Sequence, residues 1–141
     1  MAFEAYGTLL QRGDGGGPET FTSIAELTSV SGPNLSMDTI DVTHMGSANA
    51  YREFIAGLKD GGDVSMDVNF LPADATQNMA AGIMADLDAR TKRNFQVVWS
   101  DTAATVWSFS AFVTGFSPSS SLGDKLSATI TLKITGKPTI A

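Results

Sequence analysis

Residues 63–71, DVSMDVNFL, decide the fold class because apolar and polar side chains alternate along them without interruption. Successive side chains of an extended strand point to opposite faces of a sheet. The apolar face therefore carries Val64, Met66, Val68 and Phe70. The polar face carries Asp63, Ser65, Asp67 and Asn69. A strand with one dry and one wet face is typical of an antiparallel sheet that packs on a core with one side only.

Less regular alternation predicts further strands on both sides of this segment. They cover residues 3–12, 20–30, 35–43, 94–100, 104–116 and 125–135, separated by turns rich in Gly, Pro and Ser. One helix is predicted at residues 75–89, with Asp74 as its N-cap and an apolar stripe through Met79, Ile83 and Leu87. The sequence predicts a mainly β fold, an antiparallel sandwich or small barrel with one flanking α-helix, in a single domain spanning residues 1–141.

The segment 44–62, HMGSANAYREFIAGLKDGG, does not alternate. Its large apolar residues recur at the i, i+3, i+4, i+7 spacing of one helical face, namely Tyr51, Phe54, Ile55 and Leu58. Two interpretations stay open at this point. The segment is either a short helix lying on the core, or a long arm whose apolar side chains dock on another subunit.

Composition argues against several function classes. The net charge is −6, from 15 acidic and 9 basic side chains, which disfavours binding of nucleic acid or of an anionic membrane surface. Cysteine is absent, which excludes disulfides and thiolate metal sites. No apolar run approaches the ~20 residues of a membrane span, and the N-terminus lacks a signal-peptide pattern. Synthesis in the cytoplasm is therefore expected.

The chemistry-bearing side chains do not form a catalytic pattern. His44 is the single histidine, and no Gly-x-Ser-x-Gly motif accompanies it. Asp63 and Asp67 share a strand face but lie ~13 Å apart, too far for one carboxylate pair. The basic cluster of residues 90–93 is interpreted as a helix C-terminus and as a donor of ion pairs to another subunit. We expect a protein that is not an enzyme and that uses no cofactor or metal.

Four segments are distinctive in their order and spacing: Asp41-Val42-Thr43, Tyr51-Arg52-Glu53-Phe54, the strand from Gly61 to Pro72, and the closing stretch from Thr131 to Pro138. With these segments the chain resembles the major tail tube protein of long-tailed bacteriophages over nearly its whole length. The resemblance implies six-membered rings stacked into a hollow tube, with four strands per subunit joining into a 24-stranded barrel wide enough for a channel. It also implies a single tube domain without an additional C-terminal Ig-like domain.

The resemblance further implies partners and a location. The partners are other copies of the chain, a tape-measure protein in the lumen, and tail tip and tail terminator proteins. DNA passes through the tube without specific binding, and no membrane is involved. The protein belongs to the virion tail and is assembled in the host cytoplasm.

Two sets of residues are predicted to serve assembly. Within the family the long loop at about 44–62 stacks one ring on the next, which assigns ring stacking to Tyr51, Arg52, Phe54, Ile55 and Leu58. The polar face of the central strand is predicted to line the lumen through Asp63, Ser65, Asp67 and Asn69. Negative walls would repel the phosphates of DNA in transit.

Other functions remain open from the sequence alone. The tube subunit of a related injection machine, such as a contractile tail, a type VI secretion system or a gene transfer agent, would share the fold. A monomeric β module that binds a small ligand would need a concave pocket with convergent polar groups.

Overall fold

The computed structural model describes residues 2–140, and strands account for most of its regular structure. The strands are β1 (Leu9–Gly13), β2 (Phe21–Ser23), β3 (Leu27–Ser31), β4 (Ser36–Asp41), β5 (Phe54–Asp60), β6 (Asp63–Asn69), β7 (Lys92–Val98), β8 (Val106–Ser119) and β9 (Ser127–Ile140). The helix α1 spans Ile83–Ala89, and a single 3-10 turn covers Ala48–Ala50.

Seven strands form one antiparallel sheet in the order β2-β1-β7-β8-β9-β6-β3. The sheet curls on itself, because β2 and β3 lie at its opposite ends although only three residues of chain, 24–26, separate them. Strands β4 and β5 pair only with each other. The mainly β, antiparallel fold with one helix agrees with the sequence prediction.

The core lies inside the curled sheet. Inward side chains of the central strands are fully buried, among them Val64, Met66, Val68, Phe95, Ile130 and Leu132. The alternation predicted for the central strand is confirmed, since its three buried residues alternate with exposed or half-buried polar ones. Burial of each such aliphatic side chain contributes about 1.5–3 kcal/mol.

The predicted helix at 75–89 is too long, because α1 begins only at Ile83. Asp74 caps a turn instead, where its carboxylate accepts the backbone N–H of Thr76 at 2.8 Å. Gly82 lies so close to that turn that an added Cβ would sit 2.5 Å from the backbone nitrogens of Gln77 and Asn78. The buried Gln77 side chain donates to the carbonyls of Ala25 and Asn69. This tertiary contact explains why the apolar stripe did not extend a helix through the segment.

The two long C-terminal strands exceed their predicted bounds. Strand β8 runs on to Ser119 and β9 to Ile140, although the sequence predicted turns from Ser117 onward and at Gly136–Pro138. Strand β7 pairs with β8 only as far as Phe112, so Pro118 lies where it needs no partner on that side. A proline is tolerated in a strand where its missing N–H faces no neighbour.

Candidate assembly surfaces

Strands β4 and β5 form a hairpin that projects from the sheet, and residues 35–61 are called the arm below. Every residue of β4 is exposed, and so is every residue of β5 except the half-buried Gly57. The helical interpretation of residues 51–58 is therefore wrong. Both faces of β5 carry large apolar side chains, and neither face packs on the core. The sequence of β5 therefore does not alternate between apolar and polar residues.

All five residues predicted for ring stacking lie on the arm and are exposed. Leu58 is 84% exposed, Tyr51 74% and Phe54 53%. Phe54 lies on one face of β5 and Ile55 on the other, opposite Ile40 of β4. A bulge between Ala56 and Lys59 shifts the alternation, so Leu58 does not share the face of Phe54. The Arg52 guanidinium lies 3.7 Å from the carboxylate of Asp41 and presents a paired charge beside these apolar groups.

The far end of the arm is ordered by a small polar network. Ser47 donates its hydroxyl to the Glu53 carboxylate at 2.5 Å, and the His44 backbone N–H donates to the Ser47 hydroxyl at 3.0 Å. His44 accepts the backbone N–H of Gly46 on Nδ1, and its Nε2 lies 3.5 Å from Glu53. The single histidine therefore holds the loop between β4 and β5 in shape.

The arm continues the register of the sheet across a kink. Ser31 lies opposite Ser65 in the β3–β6 pair, and Ser36 lies opposite Asp60 in the β4–β5 pair. Both strands therefore advance by the same number of residues between these pairs, as in one uninterrupted ribbon. The kink needs glycine at Gly62, whose φ is +74° and whose added Cβ would lie 2.3 Å from the Asn34 carbonyl oxygen.

Replacing Gly62 by alanine is expected to lower the free energy of unfolding by about 3 kcal/mol, through left-handed strain and a backbone clash together. Gly123→Ala is the matched control, because Gly123 has a φ of +81° and open space around its added Cβ. Strain alone should cost this control about 1 kcal/mol. Urea unfolding of both variants measures the difference, and equal losses would show that Asn34 moves aside freely.

The four residues predicted to line a lumen lie on the polar face of the sheet, opposite the buried side chains of β6. Asp67 is bridged to both neighbouring strands, since it accepts the Ser29 hydroxyl at 2.9 Å and the Thr129 hydroxyl at 2.8 Å. Asn69 donates to Glu26 at 3.0 Å. The face is thus rich in hydroxyl and amide groups that are already hydrogen-bonded to one another.

Lys133 of β9 partly neutralises the acids on this face. The Lys133 ammonium lies 3.4 Å from Asp60 and 3.7 Å from Asp63, at the base of the arm. Hydrogen bonding from the Gly62 N–H, and then the Lys133 ammonium, hold the pKa of Asp60 below its ordinary value of 3.8. Asp67 is left as the central acid of the face without a cation in contact among the ion pairs of residues 2–140.

Two strand edges near this face have no partner strand within residues 2–140. Strand β7 covers β8 only up to Phe112, which leaves the edge from Val113 to Ser119 open. On the other side β3 ends the sheet. Open edges present unpaired N–H and C=O groups and readily pair with another chain.

The helix is fixed to the sheet by a buried carboxylate with two cationic partners. Asp86 of α1 is 1% exposed and accepts Arg12 Nη2 at 2.8 Å and Arg93 Nε at 3.0 Å. Arg93 also donates to the carbonyl of Asp14 at 2.9 Å. Arg93 therefore makes its ion pair within the chain, which corrects the prediction of an inter-subunit role for it.

Within residues 2–140, His, Asp and Glu side chains form no group of three placed to hold a metal ion. None of the helical segments in the same range is long and apolar enough to cross a membrane.

Comparison with known proteins decides the family. The family described as lambda phage tail tube protein matches residues 9–141, which is nearly the whole chain. The chain belongs to this family. None of the curated proteins compared with it matches the sequence.

Solved structures share the fold of this tail tube family member at low sequence identity. A chain in the virion of a native gene transfer agent particle has a TM-score of 0.75 and 19% identity, with 99% of each chain covered. A chain in the sheath/tube terminator of an extracellular contractile injection system has a TM-score of 0.74 and 19% identity, covering 100% of this chain and 97% of that one. A chain in the tube-terminating cap of the anti-feeding prophage has a TM-score of 0.73 and 18% identity, covering 100% and 91%.

The family and the fold agree on a structural role. The tail tube family consists of structural proteins of tail tubes, and the described surfaces of this chain are open strand edges, an arm and a polar face. This agrees with the main sequence prediction of a tube subunit and with the alternative of a related injection machine.

Proposed function

We propose that six copies of this chain close into a ring, and that the rings stack into the hollow tube through which phage DNA is delivered. The observation that carries the proposal is the four-stranded layer β8-β9-β6-β3, which has a buried face, a polar face and an open edge on each side. Six such layers supply the 24 strands that the family resemblance implies.

The strand directions suit ring closure. Every pair within the layer is antiparallel, so β8 and β3, at the two ends of a layer with an even number of strands, also run in opposite directions. The β3 edge of one copy can therefore join the Val113–Ser119 edge of the next by ordinary antiparallel pairing. Closing the ring in this way satisfies both open edges at once.

The polar face would then line the channel through Asp63, Ser65, Asp67 and Asn69. DNA carries one negative charge per ~1.7 Å of axis. A channel wall of hydroxyl groups and carboxylates has no cationic side chain that would bind the phosphates. Lys133 is held between two carboxylates and leaves no free cation at that point of the wall.

The arm would connect one ring to the next, with Tyr51, Arg52, Phe54, Ile55 and Leu58 at the contact. Exposure of apolar side chains to water on a projecting hairpin is unfavourable, and contact with another copy would bury them. The further partners proposed are a tape-measure protein in the lumen and terminator and tip proteins at the two ends. Assembly in the host cytoplasm would place the finished tube in the virion tail.

A disulfide between neighbouring copies tests the ring. The natural chain has no cysteine, so Ser29→Cys combined with Gly115→Cys, Ser117→Cys or Ser119→Cys gives a clean panel along the β8 edge. All four positions face the polar side, and cross-strand pairs there bring Cβ atoms within disulfide range.

One member of the panel is expected to yield covalent hexamers when assembled protein is oxidised, read as a ladder on a non-reducing gel. Each single-cysteine variant is the control and should give no ladder. The proposal fails if electron microscopy finds neither rings nor tubes, or if tubes form and no member of the panel cross-links.

The tube subunit of a related injection machine is the second candidate. The full-length agreement with chains of a gene transfer agent and of a contractile injection system supports the shared fold. Electron microscopy of complete particles separates the candidates, because a contractile machine carries a sheath around the same tube.

A further inference from the structure

We propose a second contact between stacked rings, in which Leu122 of one copy enters a cleft at the base of the arm of a copy in the next ring. This inference rests on the proposed stacking of rings. It concerns a different part of the chain from the arm, and it adds an anchored side chain to the ring-to-ring interface.

Leu122 is presented by a defined turn at the end of the β8–β9 hairpin. The backbone N–H of Asp124 donates to the carbonyl of Ser121 at 3.0 Å, and Gly123 supplies the positive φ of +81° that the turn requires. Leu122 itself has a relative exposure of 107%, so its side chain touches almost nothing in its own subunit. A large aliphatic side chain held out by an ordered turn is unfavourable in water and suited to insertion elsewhere.

The cleft lies between the base of the arm and the end of β9. It measures about 320 Å³ and is lined mainly by apolar atoms, with Leu35, Pro138 and Ile140 as its large side chains. Leu35 and Ile140 are each about half exposed in the isolated subunit. The cleft is large enough to accept a leucine side chain and its lining is apolar, and full burial of a leucine contributes about 1.5–3 kcal/mol.

The turn and the cleft lie at opposite ends of the same strands. Strand β9 begins beside the Leu122 turn and ends in the cleft, and it is 14 residues long. The β9 residues that line the cleft lie 9 to 13 residues after Ser127, so at ~3.3 Å per residue the two features are roughly 30–43 Å apart along the strand. Barrel strands tilt by about 35–45° from the barrel axis, so the turn and the cleft lie towards opposite ends of a ring, and stacking along the axis brings the turns of one ring towards the clefts of the next.

One acid of the turn is opposite in charge to two lysines at the cleft. Lys59 and Lys137 are exposed at the cleft, while Asp60 beside them is already paired with Lys133. Asp124 follows Leu122 by two residues, and its carboxylate accepts only the local backbone N–H of Lys125 at 2.8 Å among the hydrogen bonds of residues 2–140. Insertion of Leu122 would carry this acid towards the two lysines and select a second copy of the chain as the occupant.

The test measures tube formation by variants that shorten Leu122 or reverse the charges of Asp124 and Lys137. Leu122→Ala is expected to raise the protein concentration at which tubes form by about tenfold, since one buried side chain is lost at each copy. Asp124→Lys and Lys137→Asp should each weaken assembly, and the double variant should restore it. Leu122→Cys with Leu35→Cys should form a disulfide between rings in tubes and none in unassembled subunits. Ser120→Ala, in the same loop, is the control and should assemble as the natural chain does.

The outcomes separate this contact from the proposed function. Tubes that form equally well with Leu122→Ala, without cross-linking and without charge rescue, overturn the contact and leave the tube intact. Absence of any tube from the natural chain overturns both. Unchanged unfolding of Leu122→Ala shows that any loss of assembly comes from the interface.

Discussion

Replacing Asp86 by alanine is expected to lower the free energy of unfolding by about 3 kcal/mol. Asp86 is buried and joins α1 to β1 and β7 through Arg12 and Arg93. Removing one partner of a buried ion pair costs about 3–5 kcal/mol because the remaining charges lose their compensation. The lower end applies here, since the two arginines are 14% and 25% exposed and can turn partly to water.

The same helix provides the matched control for this experiment. Asp88 lies two residues along α1 and is exposed, so Asp88→Ala should change stability by no more than about 0.5 kcal/mol. Urea unfolding of unassembled protein, followed by tryptophan fluorescence, measures both. Equal stability of the two variants would show that the ion triad contributes nothing net. Replacing all three charged groups by apolar residues should recover much of the loss, because no charge is then left buried.

The sequence predicted the parts of the fold whose two faces meet different surroundings. Val64, Met66 and Val68 alternate with polar residues because β6 has the core on one side and solvent on the other. The C-terminal strand was predicted for the same reason. In these strands the period of the sequence and the period of burial have one cause.

The arm and the helix were predicted less well for a physical reason. In β5, Phe54 and Ile55 face opposite sides and both are exposed, so their spacing reflects contacts that the isolated subunit does not contain. At α1 the stripe through Met79 and Ile83 continued beyond the helix because Gln77 and Gly82 fold the chain back by tertiary contacts. The ion pairs of Asp86 were not predicted. Its two arginine partners lie on β1 and β7, and the packing of α1 against these strands cannot be deduced from the sequence alone.

The candidate assembly surfaces were likewise predicted only in part. The polar face could be predicted from alternation alone, including the positions of Asp63 and Asp67. The pairing of Lys133 with Asp60 and Asp63 required the register between β6 and β9. The open edge of β8 required the point at which β7 ends.

Simultaneous replacement of Phe54 and Leu58 by alanine is expected to abolish tube formation while leaving the fold unchanged. Both side chains lie on β5 and are at least half exposed, so the isolated subunit should lose no more than about 0.5 kcal/mol of stability. In the assembled tube each lost apolar anchor costs about 2 kcal/mol or more, and the loss recurs at every copy around the ring.

Thr39→Ala is the control for the arm variant, because Thr39 lies on the paired strand opposite Ala56 and presents little apolar surface. Sedimentation and electron microscopy measure assembly, and urea unfolding measures the fold of the same preparations. Normal tubes from the Phe54 and Leu58 variant would remove the arm from the ring-to-ring contact. Free rings without tubes would instead separate the two interfaces, since the arm would then be needed for stacking and the edges of β3 and β8 would suffice for ring closure.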